Sequence, residues 1–232
     1  MSFKISALAA AVVAVTTLVA APIASAVTVT VVGTNFDISY DDSTLFGTAR
    51  LVGNNIIFTP TDFLADSLDG AGLVHTRDTL DLVLTAHAGF DVSALKLLER
   101  GDYRLTGAGS TAAVEGTFGV FGFADPFTEV KNSFTAGALT NASGSLTSWS
   151  AGTTLTGLHS VDQTAGLNIT LSNDLLGGTV VGSVGTEGFV EKKFAAEGVM
   201  IGVNPVPEPE TYALMLAGLG VIGMVARRRQ QK

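Results

Sequence analysis

Short runs in which apolar and polar residues alternate fill most of the chain between Val27 and Val203. Val27–Val32 alternates valine with threonine, and Ala113–Phe123 keeps the same two-residue period over a longer run. This period places every second side chain on one face of a strand, so one face is buried and the other is exposed. Clusters of Gly, Asn and Asp separate the runs and act as turn signals. The pattern therefore predicts an all-β body.

The body has neither cysteine for cross-linking nor a repeat of fixed period. The chain contains 27 glycines and no cysteine, which rules out disulfides, thiolate metal sites and a cysteine nucleophile. A propeller or solenoid would show a repeat. We expect about ten to twelve short strands in an antiparallel, jelly-roll-like β-sandwich over residues 27–204.

Four further stretches of the body are assigned individually. We interpret Thr61–Thr76 as a loop or one short helical turn, because it is rich in aspartate and glycine. Val92–Arg100 fits a strand or a two-turn helix, and we favour the strand. Gly178–Val184 and Phe189–Val203 are interpreted as the last strands.

The N-terminal 26 residues have the pattern of a secretory signal helix. Lys4 precedes an apolar run from Ile5 to Ala21, and Ala24 and Ala26 form an A-x-A cleavage site. We expect residues 1–26 to be removed during export.

The C-terminal segment, residues 205–232, combines three signals in a fixed order. The first is the motif 206–210, which reads Val206, Pro207, Glu208, Pro209, Glu210. Its prolines disfavour helix in the residues before them, so we expect an extended and accessible stalk.

The second and third signals are an apolar helix and a basic end. We predict a single transmembrane helix over residues 211–226, with the apolar part from Tyr212 to Ala226. Its 15 residues cover roughly 22 Å at the helical rise, which is shorter than the ~30 Å bilayer core. In the basic tail 227–232, the side chains of Arg227, Arg228 and Arg229 stop transfer and stay on the cytoplasmic side.

Together these features resemble the PEP-CTERM sorting signal of Gram-negative bacteria, with Pro207-Glu208-Pro209 matching its short motif. The resemblance implies processing by exosortase, a membrane enzyme, and transfer to the cell surface or the exopolysaccharide matrix. Three shorter stretches resemble PEP-CTERM ectodomains: Leu97–Gly109 with its Gly-Asp-Tyr, Leu167–Leu175 and Phe189–Phe194. Phe123–Phe127 has the F-x-D-x-F spacing of one subgroup.

The body between Val27 and Pro205 is acidic, with 8 Lys and Arg against 19 Asp and Glu and hence a net charge of −11. This charge opposes binding to nucleic acid, which needs Lys and Arg to displace counterions. Asp62, Asp66 and Asp69 are weak candidates for calcium ligands. Their spacing lacks the order of a calcium loop, so a solvated turn is the favoured interpretation, and we expect no metal or cofactor.

Catalytic motifs are absent from the sequence. The histidines His75, His87 and His159 fall in no zinc pattern, and no serine has a G-x-S-x-G context. Gly218–Gly223 reads G-x-G-x-x-G but lies in the apolar segment, nine residues before the end, where a dinucleotide-binding βαβ unit has no room. We expect no enzymatic activity.

Aromatic residues offer a second candidate site. Trp149, Tyr40 and Tyr103 are available for a sugar-binding platform, but core packing is the better interpretation of so few rings. The sequence thus predicts an exported, exosortase-sorted structural or adhesive protein of the cell surface or biofilm matrix. Its expected partners are the exosortase-type enzyme and the membrane. The alternative is an exopolysaccharide-binding module, followed by a secreted hydrolase.

Overall fold

The computed structural model describes residues 27–192, 198–207 and 209–230, and over them it is a two-sheet antiparallel β-sandwich. The predicted fold class is therefore confirmed. The predicted signal peptide, including Ala24 and Ala26, lies outside the described residues. The elements are β1 Thr28–Val32, β2 Phe36–Asp41, β3 Thr48–Val52, β4 Asn55–Thr59, β5 Leu64–Leu68, β6 Leu73–Ala86, β7 Phe90–Thr106, β8 Thr111–Gly122, β9 Asp125–Thr135, β10 Thr147–Thr156, β11 Leu167–Gly178, β12 Glu187–Lys192, β13 Val199–Pro207 and the helix α1 Pro209–Gln230.

The strands are divided between a six-stranded sheet and a seven-stranded sheet. The first sheet has the order β1-β2-β6-β11-β8-β9. The second has the order β3-β4-β13-β7-β12-β5, and β10 also pairs with β7. Strand β7 is the centre of the second sheet, because β12 and β13 share one of its sides and β10 lies on the other.

The core fills the space between the two sheets. Leu82, Phe118 and Ile169 from the first sheet are buried against a layer that includes Phe58 and Leu95 from the second. Inward positions follow the two-residue period, as in β11, where buried and half-buried residues alternate. Burial of this alternating apolar face is the main favourable contribution to folding.

The interpretation of Val92–Arg100 as strand is confirmed. This stretch belongs to β7, which runs for 17 residues and continues through Gly101. Hydrogen-bonding partners on both sides of β7 override the good helix propensity of its Leu, Lys and Glu residues.

The interpretation of Thr61–Thr76 as loop or helical turn is wrong. Leu64–Leu68 forms β5, which pairs with β12, and β6 already begins at Leu73. The alternation in β5 was inconspicuous because its inward residues are the small Ala65 and Ser67.

The predicted strand over Gly178–Val184 is also wrong, because β11 ends at Gly178 and a loop follows. Gly182 adopts a positive φ of 79°, which extended strands do not use. Val180, Val181 and Val184 are exposed, so the valines of this stretch do not form the buried face that a strand would need.

The two sheets approach closely where β11 passes β12. A Cβ on Gly177 would overlap the carbonyl oxygen of Gly188, and a Cβ on Gly188 would overlap the backbone of Gly178. Glycine is therefore required for this approach. The close approach of the sheets brings the inward side chains of β11 within reach of those of β12.

Candidate functional site

The predicted sorting motif begins inside the last strand of the sandwich. Strand β13 ends at Pro207, and Val206 and Pro207 lie opposite Asp91 and Phe90 of β7. A register shift occurs between Asn204 and Pro205. These two residues are extended, as expected, but they are half-buried and paired with β7, so they do not form an accessible stalk.

Helix α1 contains the rest of the segment. It begins at Pro209, a residue that is well suited to the first turn of a helix. Glu208 lies outside the described residues, whereas Arg227 and apolar side chains such as Leu214 and Ile222 are exposed. Glu210, Arg228 and Arg229 belong to α1. Over the described part of the chain, no helix meets the length and apolarity needed to cross a bilayer.

A polar cleft of about 350 Å³ lies at the end of the sandwich where β13 finishes. It is lined by His87, His159 and Asp162, among others. At its edge, His87 Nε2 lies 3.0 Å from Asp37 Oδ1. The hydrogen bond to Asp37 raises the pKa of His87, and the same hydrogen bond lowers the pKa of Asp37.

The hairpin between β8 and β9 carries the F-x-D-x-F stretch. Phe123 is 58% exposed and Phe127 is 95% exposed. Asp125 accepts a hydrogen bond from the Phe127 backbone N–H at 3.1 Å and one from the Thr128 hydroxyl at 2.7 Å. The aspartate thus stabilises the turn, and the two rings extend into solvent.

The three candidate calcium ligands have separate environments. Asp62 is exposed, and Asp69 accepts a hydrogen bond from the Gly185 backbone N–H at 2.7 Å. Asp66 lies in β5, and burial raises its pKa. Within the described ranges, no group of three or more His, Asp or Glu side chains is placed to hold a metal ion.

The candidate sugar-binding aromatics belong to the core. Trp149, Tyr40 and Tyr103 are each at most 5% exposed. Their polar atoms are occupied: Trp149 Nε1 donates to the Glu191 carbonyl at 3.1 Å, and Tyr40 Oη accepts from the Ala49 N–H at 2.7 Å. The platform hypothesis is wrong, and the core interpretation is confirmed.

A cleft of about 630 Å³ opens on the outer face of the first sheet, across β6, β11, β8 and β9. Arg77 and Asp174 form an ion pair at its edge, with Nε and Oδ2 2.7 Å apart. His75 Nδ1 lies 3.0 Å from Asp174 Oδ1, so Asp174 contacts both residues. The lining is otherwise rich in hydroxyl groups, namely those of Thr79, Thr117, Ser133, Thr135 and Ser172.

A buried polar cluster that the sequence analysis missed lies between the two sheets. Lys192 Nζ is 2.5 Å from Glu99 Oε2 and 2.9 Å from Asn173 Oδ1. Asn173 Nδ2 in turn donates to Glu99 Oε1 at 2.9 Å. Glu99 lies on β7, Asn173 on β11 and Lys192 on β12, so the cluster joins both sheets. We name these residues the core triad.

Aromatic rings surround the amino group of the core triad. Lys192 Nζ lies 5.7 Å from the centre of the Phe46 ring, 5.2 Å from Phe63 and 5.8 Å from Trp149. The side chains of Lys192 and Glu99 are 0% exposed. Burial lowers the pKa of Lys192, and the neighbouring Glu99 opposes that shift.

The fold and its tail together define a β-sandwich protein whose last strand leads directly into a C-terminal sorting segment. Residues 205–230 match the family model described as the PEP-CTERM protein-sorting motif. The chain therefore carries a PEP-CTERM sorting segment, and this motif implies export and exosortase-directed sorting to the cell surface. No curated protein matches the chain.

Proposed function

We propose that the mature sandwich is a structural or adhesive component of the cell surface or the extracellular matrix, with no enzymatic activity toward other molecules. The observation that carries this proposal is the direct connection of a β-sandwich to a PEP-CTERM segment. The core triad is sealed from solvent, so it has no access for an external substrate.

In this proposal the C-terminal segment acts before the body reaches its destination. The apolar stretch 211–226 holds the chain at the bilayer, where flanking residues compensate for its short length. Arg227, Arg228 and Arg229 remain on the cytoplasmic side. The processing enzyme recognises the motif 206–210 at the end of the sandwich.

Cell fractionation combined with mass spectrometry of the mature termini tests the proposed route. We expect a mature chain that begins at Val27, lacks residues 211–232, and occurs in the surface or matrix fraction. Full-length chain in the cytosol would contradict the proposal. A mature chain that hydrolyses a matrix polymer would contradict its non-enzymatic part.

A second candidate function is binding of exopolysaccharide by the cleft on the first sheet. Hydroxyl side chains and the charged Arg77, Glu115 and Asp174 line this cleft, and such groups form hydrogen bonds with sugar hydroxyls. Its size is in the range of ligand-binding pockets.

Retention of the mature body on immobilised exopolysaccharide tests this candidate. Arg77→Ala and Glu115→Ala should weaken retention because both remove lining groups of the cleft. Arg50→Ala provides the control, since Arg50 is an exposed arginine on β3 of the other sheet. If all three variants are retained equally well, exopolysaccharide does not bind in this cleft.

A further inference from the structure

The core triad brings an amine, a carboxamide and a carboxyl group together in a space sealed from solvent. Lys192 Nζ donates to Asn173 Oδ1 at 2.9 Å. The amide C=O bond is about 1.23 Å long, which places the Asn173 Cγ at most about 4.1 Å from the amine nitrogen. Groups poised to react lie about 3–3.5 Å apart, so this amine is close to attacking distance from the amide carbon.

Glu99 contacts both nitrogen atoms whose protonation would change in an amide exchange. Its Oε2 lies 2.5 Å from Lys192 Nζ, the potential nucleophile. Its Oε1 accepts a hydrogen bond from Asn173 Nδ2, the potential leaving group, at 2.9 Å. One carboxyl group is thus placed to take a proton from one nitrogen and supply a proton to the other.

We propose that Lys192 and Asn173 form an intramolecular isopeptide bond in the folded protein, with Glu99 as the residue that transfers the protons.

The reaction is balanced without any co-reactant. The Glu99 carboxylate takes one proton from the Lys192 ammonium, and the freed lone pair attacks Asn173 Cγ. A bond forms between Nζ and Cγ, giving a tetrahedral intermediate. Glu99 passes its proton to Nδ2 and accepts the second proton from Nζ. The bond between Cγ and Nδ2 then breaks, ammonia leaves, and an amide remains with a neutral Glu99 carboxyl group.

The surroundings of the core triad favour this exchange over hydrolysis. The rings of Phe46, Phe63 and Trp149 surround the amine, and the side chains of Glu99 and Lys192 are fully buried. A site without water strengthens electrostatic interactions and prevents attack by water on the intermediate. The product also suits the buried environment better than the reactants do, because neutral groups replace a buried ion pair.

The bond would connect β11 of the first sheet to β12 of the second. A disulfide cannot cross-link the sheets, since the chain has no cysteine. Exported proteins often gain stability from such cross-links. An amide provides the same connection and cannot be broken by reduction.

Peptide mapping of the denatured full-length protein with a glutamate-specific protease tests the proposal. Cleavage after Glu129, Glu187, Glu191 and Glu197 separates Asn173, in fragment 130–187, from Lys192, in fragment 192–197. We expect the two fragments to remain joined, with a mass equal to their sum less one ammonia. Fragmentation of the joined species should place the link at Lys192 and Asn173. Two separate, unmodified fragments would overturn the proposal.

Variants test the role of each group. Lys192→Met and Asn173→Ala should give only separate fragments, and Glu99→Gln should lose most of the joined species. Lys131→Met and Asn168→Ala are the controls, because Lys131 is a surface lysine and Asn168 lies on the outer side of β11. Both controls should keep the joined fragments. Full linkage in Glu99→Gln would overturn the proton-transfer role. Even if a variant does not fold, the peptide map of the wild-type protein shows whether the bond exists.

Discussion

Trp149 lies against Gly101 where β10 pairs with β7, and the two residues are directly opposite in the register. A Cβ on Gly101 would overlap both the indole ring and the carbonyl oxygen of Glu191. That carbonyl accepts the indole N–H hydrogen bond, so both neighbours depend on the absence of a side chain at this position.

We therefore expect Gly101→Ala to lower the free energy of unfolding by about 1–3 kcal/mol, the usual cost of overpacking a core. The fluorescence of Trp149, the single tryptophan of the chain, reports the transition in a urea titration. Gly119→Ala is the matched control, because its new Cβ would overlap only the end of the flexible Glu129 side chain and would make an ordinary contact with Lys131. Equal stability of wild type and Gly101→Ala would contradict the packing argument.

The strands that alternate strongly were predictable from the sequence, because burial of one face requires the two-residue period. Ala113–Phe123 corresponds to β8, and Val27–Val32 corresponds to β1. β5 was missed because three aspartates and two glycines around it dominate the local composition. Its partner β12 follows more than 100 residues later, and that pairing decides its structure.

The candidate sites also differ in how far they could be predicted from the sequence. The sorting segment is contiguous, so its order of features is readable in the sequence. The core triad comes from three strands, with Glu99 and Lys192 separated by 93 positions. A signal did exist: the alternation in β7 places Glu99 on the same face as Leu95 and Leu97. A charged residue on a buried face requires a partner, but the sequence does not say which residue provides it.

Removal of the Lys192 amine should destabilise the sandwich. Lys192→Met removes the proposed bond and leaves Glu99 in the core without the amine, and the loss of a covalent cross-link or of a buried charge partner costs about 2–5 kcal/mol. The double variant Glu99→Gln with Lys192→Met should be more stable than Lys192→Met alone, because it has no buried carboxylate. Both variants lack the isopeptide bond, so the difference between their urea midpoints measures only the effect of the buried carboxylate on stability.

The surface lysine provides the comparison for this experiment. Lys131 and Glu129 are 3.7 Å apart and about half exposed. Lys131→Met should therefore change stability by less than about 1 kcal/mol. A Lys192→Met variant as stable as Lys131→Met would show that neither the Lys192 amine nor the proposed bond contributes to stability.

The stabilisation that the contact between His87 and Asp37 contributes to the fold should depend on pH. The pKa of His87 is raised above its ordinary 6.5, so its contribution is complete below pH 6.5 and is lost as the pH rises through the raised value. The pKa of Asp37 is lowered below its ordinary 3.8, so its contribution is complete above pH 3.8 and is lost as the pH falls through the lowered value. The pair contributes fully between these limits.

NMR titration of the imidazole protons measures this effect. In the wild type, His87 should titrate above pH 6.5, and Asp37→Asn should lower its midpoint. Asp41→Asn is the control, because Asp41 instead accepts a hydrogen bond from the Ser43 backbone N–H. An unchanged His87 midpoint in Asp37→Asn would show that the 3.0 Å contact does not persist in solution.

Replacement of the motif prolines should stop sorting without unfolding the sandwich. Pro207 is the last residue of β13 and Pro209 the first of α1, so the change Pro207→Ala with Pro209→Ala falls where the strand ends and the helix begins. Alanine allows helix α1 to extend backwards through the motif, which removes the extended conformation that the prolines favour. We expect full-length chain to accumulate in the membrane fraction on a blot, with an unchanged unfolding temperature of the body. Pro126→Ala, in β9 and outside the motif, should be processed like the wild type. Normal processing of the double variant would mean that the enzyme recognises α1 or the basic end instead of the proline motif.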